Sequence, residues 1–360
     1  MSNQLADEQR PASLRRPPAL RPGDKVAVLT ISSPVNQDAL PAGLDALRFA
    51  GLEPVVYPSA SDSGSFRHYL ASDDAQRASD LCAALADPGI AGIVFACGGY
   101  GAQRTIEAIP WDSLTGLQPK VLAGYSDVTA ILEAVAAKLG WSSLLSTMVA
   151  TSGVRPHYSF GSMLRTLMRP EHAMNIHYPD ALPIRGGRAR GLTLGGNLAL
   201  LASSIGTDSC LPATGGILLI EDVDEEDYRL DRMLTQLRRS GYLTGVAAVI
   251  TGTFADCGEQ PSIEEILAER LGDLGVPVLA RANVGHGCPL QAFPIGVAAE
   301  LDADACTLTL LDPPLRPAST TDATTVGTGT VGTVTVGTVT IDAGASMTVT
   351  TASSHGQGVS

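Results

Sequence analysis

The regular alternation of short apolar runs with helix-forming stretches in the first half of the chain is the feature that most constrains its fold. The apolar runs are DKVAVLT (24–30), EPVVYP (53–58), IAGIVFACGG (90–99) and KVLAGYSD (120–127), and stretches with helical spacing occupy 37–50, 74–87, 102–109 and 128–139. Strands that are buried on both faces and alternate with helices are typical of a parallel sheet covered by helices on each side. We therefore predict an α/β fold, with an N-terminal domain at 23–155 built on such a sheet.

A second unit is predicted at residues 191–315. It contains apolar runs at 215–222, 246–254 and 300–312, which favour strands, and amphipathic stretches at 228–241 and 263–275, which favour helices. Residues 156–190 contain several prolines and no clear period, so we interpret them as a crossover between the two domains. Residues 1–22 are expected to be a flexible leader, and the Thr-, Val- and Gly-rich residues 316–360 are expected to be a disordered tail.

Composition argues against several classes of partner. The 360 residues carry a formal net charge of -13, whereas nucleic-acid binding needs clustered Lys and Arg. No apolar stretch is long enough to span a membrane, and the N-terminus lacks the apolar core of a signal peptide. The six cysteines are scattered without metal-ligand spacing, so we predict reduced thiols in a cytoplasmic protein with no metal or other cofactor.

A lone hydroxyl lies at the predicted corner between a strand and the helix that starts near Val128. In the segment GYSDV, Ser126 resembles a nucleophile elbow, in which a sharp turn presents the serine and the next N–H, that of Asp127, faces the reacting oxygen. However, the second glycine of the usual G-x-S-x-G pattern is missing, and a serine or aspartate here also serves as a helix cap. The spacing alone leaves both interpretations open.

A nucleophilic serine needs a base, and the base needs a group that orients it. Among the six histidines, His286 in VGHGC is the best candidate because it follows an apolar run and lies between two glycines; His68, in a polar loop, is the second. Glu221 is the candidate orienting group, since it is the first acid after the apolar run ILLI. The alternative is that neither histidine is catalytic.

The glycine-rich segment ACGGYG follows another predicted strand. Gly98 and Gly99 let the backbone turn tightly and bring N–H groups close to a ligand, although the segment matches no phosphate-binding pattern and is also compatible with a plain turn. Cys97 ends the same strand and suggests a second enzyme class, a hydrolase with a thiol nucleophile. A third class is a non-catalytic protein that binds a small ligand at the glycine loop.

Six segments together resemble a known family. ACGGYG, GYSDVTA, GGNLALL, LLIEDVDEEDYRLDRML, GTF and VGHG, in this order, are similar to motifs of the LD-carboxypeptidase family of serine peptidases, and the likeness covers about residues 20–315. That family includes murein tetrapeptide carboxypeptidases and microcin C self-immunity peptidases. The resemblance implies a parallel α/β N-terminal domain joined to a smaller, mostly β C-terminal domain, usually in a homodimer. It also implies a triad of Ser126 as nucleophile, His286 as base and Glu221 as orienting group.

The resemblance further implies a small peptide or peptide-like substrate. In the predicted reaction, the oxyanion is stabilised by the N–H of Asp127 together with one from Gly98 or Gly99, in the loop that also carries Tyr100. A carboxypeptidase must also bind the terminal carboxylate of its substrate. Arg104, Arg229 or N–H groups at a helix start are the candidates for that contact.

Murein tetrapeptide, from which terminal D-Ala would be released, is the preferred substrate. The alternative is an acyl-nucleotide of the microcin type, whose base would need an aromatic platform. Trp111 and Trp141 are the only tryptophans, and neither clearly ends a strand. The segment LLSTMVATSG, around Met148, stands where the family often has a Gly-Pro-Met-like segment, and the 316–360 tail has no recognised family counterpart.

Overall fold

Two β-sheets form the framework of the computed structural model, which describes residues 12–61, 66–151, 156–287 and 289–317. These residues belong to one contiguous unit. The predicted tail from residue 318 onwards and residues 1–11 of the predicted leader lie outside the described residues.

The strands are numbered in chain order. They are β1 (Lys25–Leu29), β2 (Glu53–Val56), β3 (Ile90–Phe95), β4 (Val121–Gly124), β5 (Ser143–Leu145), β6 (Asn175–His177), β7 (Leu182–Arg185), β8 (Arg188–Asn197), β9 (Gly216–Val223), β10 (Ala248–Ala255), β11 (Val278–Ala280), β12 (Phe293–Ile295), β13 (Ala298–Asp302) and β14 (Thr307–Leu310). The helices are α1 (Leu40–Phe49), α2 (Pro58–Ser61), α3 (Asp74–Ala86), α4 (Ala102–Glu107), α5 (Trp111–Leu114), α6 (Thr129–Leu139), α7 (Pro156–Met168), α8 (Leu198–Ser204), α9 (Asp227–Arg239) and α10 (Gln260–Leu271).

The first sheet has six strands in the order β12-β5-β4-β3-β1-β2. Strands β1 to β5 are parallel, and β12 pairs antiparallel with β5. β4 is buried along its whole length and β1 along all but its first residue, as their continuous apolar runs indicate. The predicted α/β fold with an N-terminal parallel sheet is confirmed.

The second sheet has eight strands in the order β6-β14-β13-β8-β9-β10-β11-β7. Its centre, from β8 to β11, is parallel, and its outer strands pair antiparallel. α9 packs through the apolar stripe of Leu230, Leu234 and Leu237, which are buried as their spacing predicts. The β-rich C-terminal part is therefore confirmed, and α8, α9 and α10 add helices to it.

The segment 156–190, which the sequence predicts to be an irregular crossover, is regular structure. It contains α7 and the strands β6 and β7, which form the two edges of the second sheet. Phe160, Met163 and Leu167 of α7 are buried at helical spacing. Intervening Ser, Gly and Arg residues and the prolines on either side obscure that period in the sequence.

Residues 12–22 of the predicted leader are held against the rest of the chain, which corrects the expectation of flexibility for this part. Leu14 N donates to Gly296 O at 2.8 Å, and Ala19 N donates to Arg316 O at 2.9 Å. Leu20 is buried in the core. These are isolated contacts with distant residues, so they produce no periodic pattern that a sequence could reveal.

The two predicted domains also share a strand. β12 comes from residues 293–295, deep in the predicted C-terminal domain, but it pairs with β5 at the edge of the first sheet. Residues 293–295 therefore complete the sheet that carries Ser126.

Replacing Gly195 by alanine is expected to destabilise the protein strongly. Gly195 lies in β8 with φ of +102°, and a Cβ there would lie 1.9 Å from the carbonyl oxygen of Leu219 in β9. The backbone conformation alone opposes a side chain by roughly 1–3 kcal/mol, and the clash adds to that cost. Thermal melting followed by circular dichroism should show a Tm lowered by about 5 °C or more.

Gly116→Ala is the matched control, because no atom lies within 4 Å of a Cβ at Gly116. Its Tm should stay within about 1 °C of wild type. An unchanged Tm in Gly195→Ala would contradict the close approach of β8 to β9.

Candidate active site

A serine in a strained conformation occupies the corner between β4 and α6. β4 ends at Gly124, Ser126 has φ of +63°, and a short 3-10 turn over Ser126–Val128 leads into α6. A positive φ costs a non-glycine residue roughly 1–3 kcal/mol, which the surrounding packing must outweigh. Gly124 permits the corner, because a Cβ there would lie 2.8 Å from Cγ1 of Val128. This geometry resembles the sharp turn of a nucleophile elbow.

Ser126, His286 and Glu221 form one hydrogen-bonded line. Nε2 of His286 lies 3.0 Å from Oγ of Ser126, and Nδ1 of His286 lies 2.7 Å from Oε2 of Glu221. Because an ionised carboxylate only accepts, Nδ1 carries the proton that faces Glu221, and Nε2 is left to accept from the Ser126 hydroxyl. The backbone N–H of His286 donates to the same Oε2 at 3.2 Å. A serine, an imidazole and a carboxylate in this sequence form the arrangement that activates a serine nucleophile.

The pKa of His286 is raised above its ordinary value. Burial of the ring opposes the charged form and lowers the pKa, but the hydrogen bond to Glu221 and the charges of Glu221 and Asp222 outweigh that effect. The imidazolium form is therefore stabilised by carboxylates on β9. This stabilisation is what a base needs when it takes a proton from a serine hydroxyl.

Glu221 is completely buried at its place in β9. Two glycines make room for its side chain: a Cβ at Gly285 would lie 2.3 Å from Oε2 of Glu221, and one at Gly252 would lie 3.0 Å from Cβ of Glu221. Gly285 also has φ of +108°, which side chains rarely adopt. Glycine is therefore required directly before His286.

Tyr125 is a site residue that no sequence pattern assigns. Its ring packs against the ring of His286 with the centroids 4.8 Å apart, and it is mostly buried. The contact restrains the imidazole from the side of the serine turn. The available signal is its place directly before Ser126 in GYSD.

The side chain of Asp127 joins the serine turn to the glycine loop. It is buried and accepts from Oγ of Ser32 at 2.6 Å and from N of Ala102, the first residue of α4, at 2.8 Å. Burial raises the pKa of Asp127 to about 6, although these hydrogen bonds and the charge of Arg77 act in the opposite direction. The sequence predicts a role for the N–H of Asp127, and the structure adds this anchoring role for its carboxylate.

The loop from Cys97 to Gly101 lies directly against Ser126. A Cβ at Gly98 would lie 3.0 Å from Cβ and 3.2 Å from Oγ of Ser126, so a side chain there would crowd the hydroxyl. Gly99 has φ of +106°, and Ser33 leaves no room for a Cβ there, which would lie 2.2 Å from its Oγ. Tyr100 follows with its ring half-exposed, and its N–H donates to Oγ of Ser33 at 3.1 Å. The structure thus brings the predicted glycine loop to the serine.

The two arginines that are predicted to bind a substrate carboxylate contact carboxylates of the chain itself. Asp74 holds Arg104 by two hydrogen bonds, from Nε to Oδ1 at 3.0 Å and from Nη2 to Oδ2 at 2.5 Å. Arg229 lies at the start of α9, where Nη1 is 3.5 Å from Oε2 of Glu225 and the guanidinium lies over the Tyr228 ring. The pair with Asp74 already engages two donors of Arg104, so Arg104 is less suited to bind a substrate carboxylate. Arg229 is held only weakly.

His68 and Cys97, the alternative base and nucleophile, do not join the Ser126 line. His68 is exposed and contacts Tyr69 edge-on, with the ring centroids 5.0 Å apart. The thiol of Cys97 donates to the carbonyl oxygen of Ser33 at 3.2 Å, and burial raises the pKa of this thiol to about 11. Since the thiolate is the nucleophile, Cys97 is poorly suited to attack at neutral pH.

The residues that the structure describes include neither a membrane-spanning helix nor a cluster of metal ligands. No helix there is both long and apolar enough to cross a membrane. In the same ranges, no group of three or more His, Cys, Asp and Glu residues is arranged to hold a metal ion.

Comparison with protein families matches both halves of the chain. The model described as the LD-carboxypeptidase N-terminal domain matches residues 26–146, and the one described as the LD-carboxypeptidase C-terminal domain matches residues 190–301. The matched ranges include Ser126, Glu221 and His286.

Individual relatives agree with the family match. A putative carboxypeptidase of Streptomyces coelicolor is 46% identical over 84% of this chain and 98% of its own length. A murein tetrapeptide carboxypeptidase of Pseudomonas aeruginosa is 31% identical over 78% of this chain and 94% of its own. Among solved structures, MccF in complex with glutamyl sulfamoyl guanosine superposes with a TM-score of 0.76 at 21% identity, covering 84% of this chain and 99% of that one. At this level of identity, the likeness to MccF shows a shared fold and nothing more.

We expect Cys97 to resist alkylation in the folded protein at neutral pH. With a pKa of about 11, the thiolate is a very small fraction of the thiol at pH 7.5, on the order of one in a thousand or less. Iodoacetamide treatment followed by peptide mass mapping should therefore leave the Cys97 peptide unmodified. The same treatment of the urea-unfolded protein is the control and should modify it; rapid modification in the folded state would restore the thiol hypothesis.

Proposed function

Because the chain belongs to the LD-carboxypeptidase family, we propose that it is a serine carboxypeptidase that releases terminal D-Ala from murein tetrapeptide in peptidoglycan recycling. The observation that carries the proposal is the continuous line from Ser126 Oγ through the His286 ring to Glu221, with contacts of 3.0 and 2.7 Å. The name of the Pseudomonas aeruginosa relative, murein tetrapeptide carboxypeptidase, supports the choice of substrate.

In the proposed mechanism, His286 acts first as a base and then as an acid. Its Nε2 takes the proton of Ser126 while Oγ attacks the carbonyl carbon of the L,D amide bond. The C–N bond then breaks as the imidazolium gives this proton to the leaving amine of D-Ala. Water attacks the resulting ester with His286 again as the base, which releases the shortened peptide and restores Ser126. Glu221 holds the ring in the required tautomer and stabilises its charged form.

The negative charge on the carbonyl oxygen needs donors on the side of the glycine loop. We assign these to the N–H of Asp127 and to one from Gly98 or Gly99. The small distances between Gly98 and Ser126 support this, since they bring the loop backbone to the nucleophile without a side chain between them. One such donor typically contributes about 3–4 kcal/mol in the transition state.

The terminal carboxylate of the substrate needs a cation or free N–H groups. Arg229 is better suited than Arg104, because its 3.5 Å contact with Glu225 is weak whereas Asp74 engages Arg104 bidentately. We therefore propose Arg229, or N–H groups at a helix start, for this role.

The two tryptophans give no support to an acyl-nucleotide substrate. Trp141 is completely buried, and Trp111 packs against the core with Nε1 donating to the carbonyl oxygen of Ile106 at 3.3 Å. Neither indole is placed to stack on a nucleobase. Met148 is also buried in the core. A homodimer, expected from the family, and a cytoplasmic location, expected from the scattered spacing of the cysteines, complete the proposal.

Ser126→Ala and His286→Ala are expected to lower kcat for D-Ala release by about 10³-fold or more, because each removes a group that acts on the reacting atoms. Glu221→Gln should retain more activity, since it impairs orientation and charge stabilisation only. D-Ala release from murein tetrapeptide, followed by a coupled D-amino-acid oxidase assay, measures these rates.

Ser142→Ala is the control for these variants, because it makes the same substitution at a buried serine whose hydroxyl has no hydrogen-bond partner. Its activity should match wild type. A parallel assay with acyl-sulfamoyl-adenosine tests the alternative substrate. If this compound is cleaved faster than murein tetrapeptide, the acyl-nucleotide becomes the preferred substrate. Full activity in Ser126→Ala would exclude the serine mechanism, and no turnover of either substrate by the wild type would favour a binding protein.

The pH dependence of kcat/KM should follow His286. The base must be neutral, so activity rises with pH through the pKa of His286, which Glu221 and Asp222 hold above its ordinary value. Glu221→Gln removes the hydrogen-bonded charge that raises this pKa. Burial of the ring, which lowers the pKa, then has a larger net effect. The rising limb should therefore move to lower pH.

Glu225→Gln is the matched control, because Glu225 lies just beyond β9 and pairs with Arg229 rather than with His286. Its pH profile should overlay that of wild type. If the rising limb of the kcat/KM profile lies at the same pH in Glu221→Gln as in wild type, a group other than His286 controls the profile.

A further inference from the structure

The proposed catalytic line joins two separate sheets, since Ser126 follows β4 of the first and Glu221 lies in β9 of the second. We infer that Thr129, Asn197 and Asp222 are positioning residues that hold the Ser126 helix in register with the Glu221 strand. This inference rests on the proposed function, because it concerns the alignment of that nucleophile with its base.

The first link runs from the end of β8 to the start of α6. The backbone N–H of Asn197 donates to Oγ1 of Thr129 at 3.0 Å. Thr129 is the first residue of α6, directly after the turn that carries Ser126, and it is almost completely buried. A displacement of β8 is therefore transmitted to the helix that presents the nucleophile.

Gly196 makes this close approach possible. Its φ is +149°, and a Cβ there would lie 2.6 Å from both Oγ1 and Cγ2 of Thr129. Any side chain at this position would push β8 away from α6. Gly196 therefore allows β8 to approach α6 closely and also adopts the backbone conformation found at the end of β8.

The second link runs from Asn197 to β9. Nδ2 of Asn197 donates to Oδ1 of Asp222 at 2.9 Å, and Oδ1 of Asn197 accepts from N of Leu200 at 3.2 Å as the cap of α8. The carboxylate of Asp222 and the N–H of Leu200 together fix the orientation of the Asn197 side-chain amide. In addition, Asn197 lies opposite Glu221 in the β8–β9 ladder.

Asp222 closes the connection at the base of the triad. Its carboxylate also accepts from N of Ala199 and from its neighbour Val223 N, each at 2.9 Å. Adjacent residues of a strand point to opposite faces, so Glu221 faces His286 while Asp222 faces α8. The chain from Ser126 through Thr129, Asn197 and the Asp222–Glu221 pair returns to Ser126 through His286, and it forms a closed ring.

A ring of this kind controls the Ser126–His286 distance. Misplacement of reacting groups by about 1 Å lowers a rate by on the order of 100-fold. Opening the ring at Thr129 should therefore impair activation of Ser126 even though Thr129 contacts neither His286 nor Glu221 in any hydrogen bond.

Thr129→Val tests this, because valine has nearly the same shape and removes only the acceptor for Asn197 N–H. The readout is the rate at which diisopropyl fluorophosphate labels Ser126, since this reagent needs an activated serine but no peptide subsites. We expect a decrease of about 10- to 100-fold, with a matching fall in kcat for tetrapeptide and KM within about twofold of wild type. Thr129→Ser, which retains the hydroxyl, should restore most of the labelling rate.

Thr193→Val is the control for a purely structural effect. Thr193 is also buried in β8, and its hydroxyl donates to Val297 O and accepts from Val297 N, both at 3.0 Å, outside the ring. This variant should lose thermal stability yet label at the wild-type rate, measured where both variants are folded by circular dichroism. Labelling of Thr129→Val within about twofold of wild type, or an equal loss in Thr193→Val, would overturn the inference.

Asn197→Asp gives a second break that keeps the size of the side chain and its cap for α8. It places a carboxylate against Asp222, and we expect a similar loss of labelling. In the double variant with Thr129→Val, the loss should not exceed the larger single loss by much, because either change opens the same ring. Multiplying losses would contradict a single connection. If wild-type Ser126 is not labelled at all, the proposed function itself fails, and the inference fails with it.

Discussion

A fully buried carboxylate is the constraint around which the site is organised. Glu221 is removed from solvent, and an ionised group in that position is costly unless it is paired and hydrogen-bonded. The ring and the backbone N–H of His286 meet this need at Oε2, whereas Oε1 is buried without a hydrogen-bond partner. At position 285 the carboxylate of Glu221 leaves no room for a side chain, and at position 252 the carbonyl oxygen of Val284 and Cβ of Glu221 do so. The placement of His286 therefore follows from satisfying Glu221, and the alignment with Ser126 follows from His286.

The fold places strain where chemistry needs it. Ser126 has a backbone conformation that a non-glycine residue rarely adopts, and the residues on either side hold it there. Tyr125 packs on the imidazole, while the carboxylate of Asp127 ties the turn to Ser32 and to the start of α4. One short turn thus presents the hydroxyl, restrains its base and fixes the neighbouring glycine loop. Few other positions in an α/β sheet offer all of these contacts at once.

The three residues of the catalytic line lie in short segments whose residue pattern could be recognised in the sequence. The β4–Ser126–α6 corner, the acid at the end of ILLI and the histidine between glycines are each marked by residues within a few positions of one another. Other contacts join residues far apart in sequence, so no local pattern marks them. Examples are the pairing of Arg104 with Asp74, the backbone contacts of residues 12–22 and the Thr129–Asn197 hydrogen bond. α7 could not be predicted for a different reason. Its buried residues Phe160, Met163 and Leu167 have helical spacing, but the polar residues and glycine between them obscure that period in the sequence.

The strand that residues 293–295 supply to the first sheet also orders events during synthesis. Until those residues leave the ribosome, β5 is an open edge with unpaired N–H and C=O groups, although every other strand of that sheet has already been made. Such long-range pairing is slow and leaves an intermediate exposed to association with other chains. Because His286 also lies late in the sequence, the line that joins Ser126 to His286 assembles only after nearly the whole described chain has been translated.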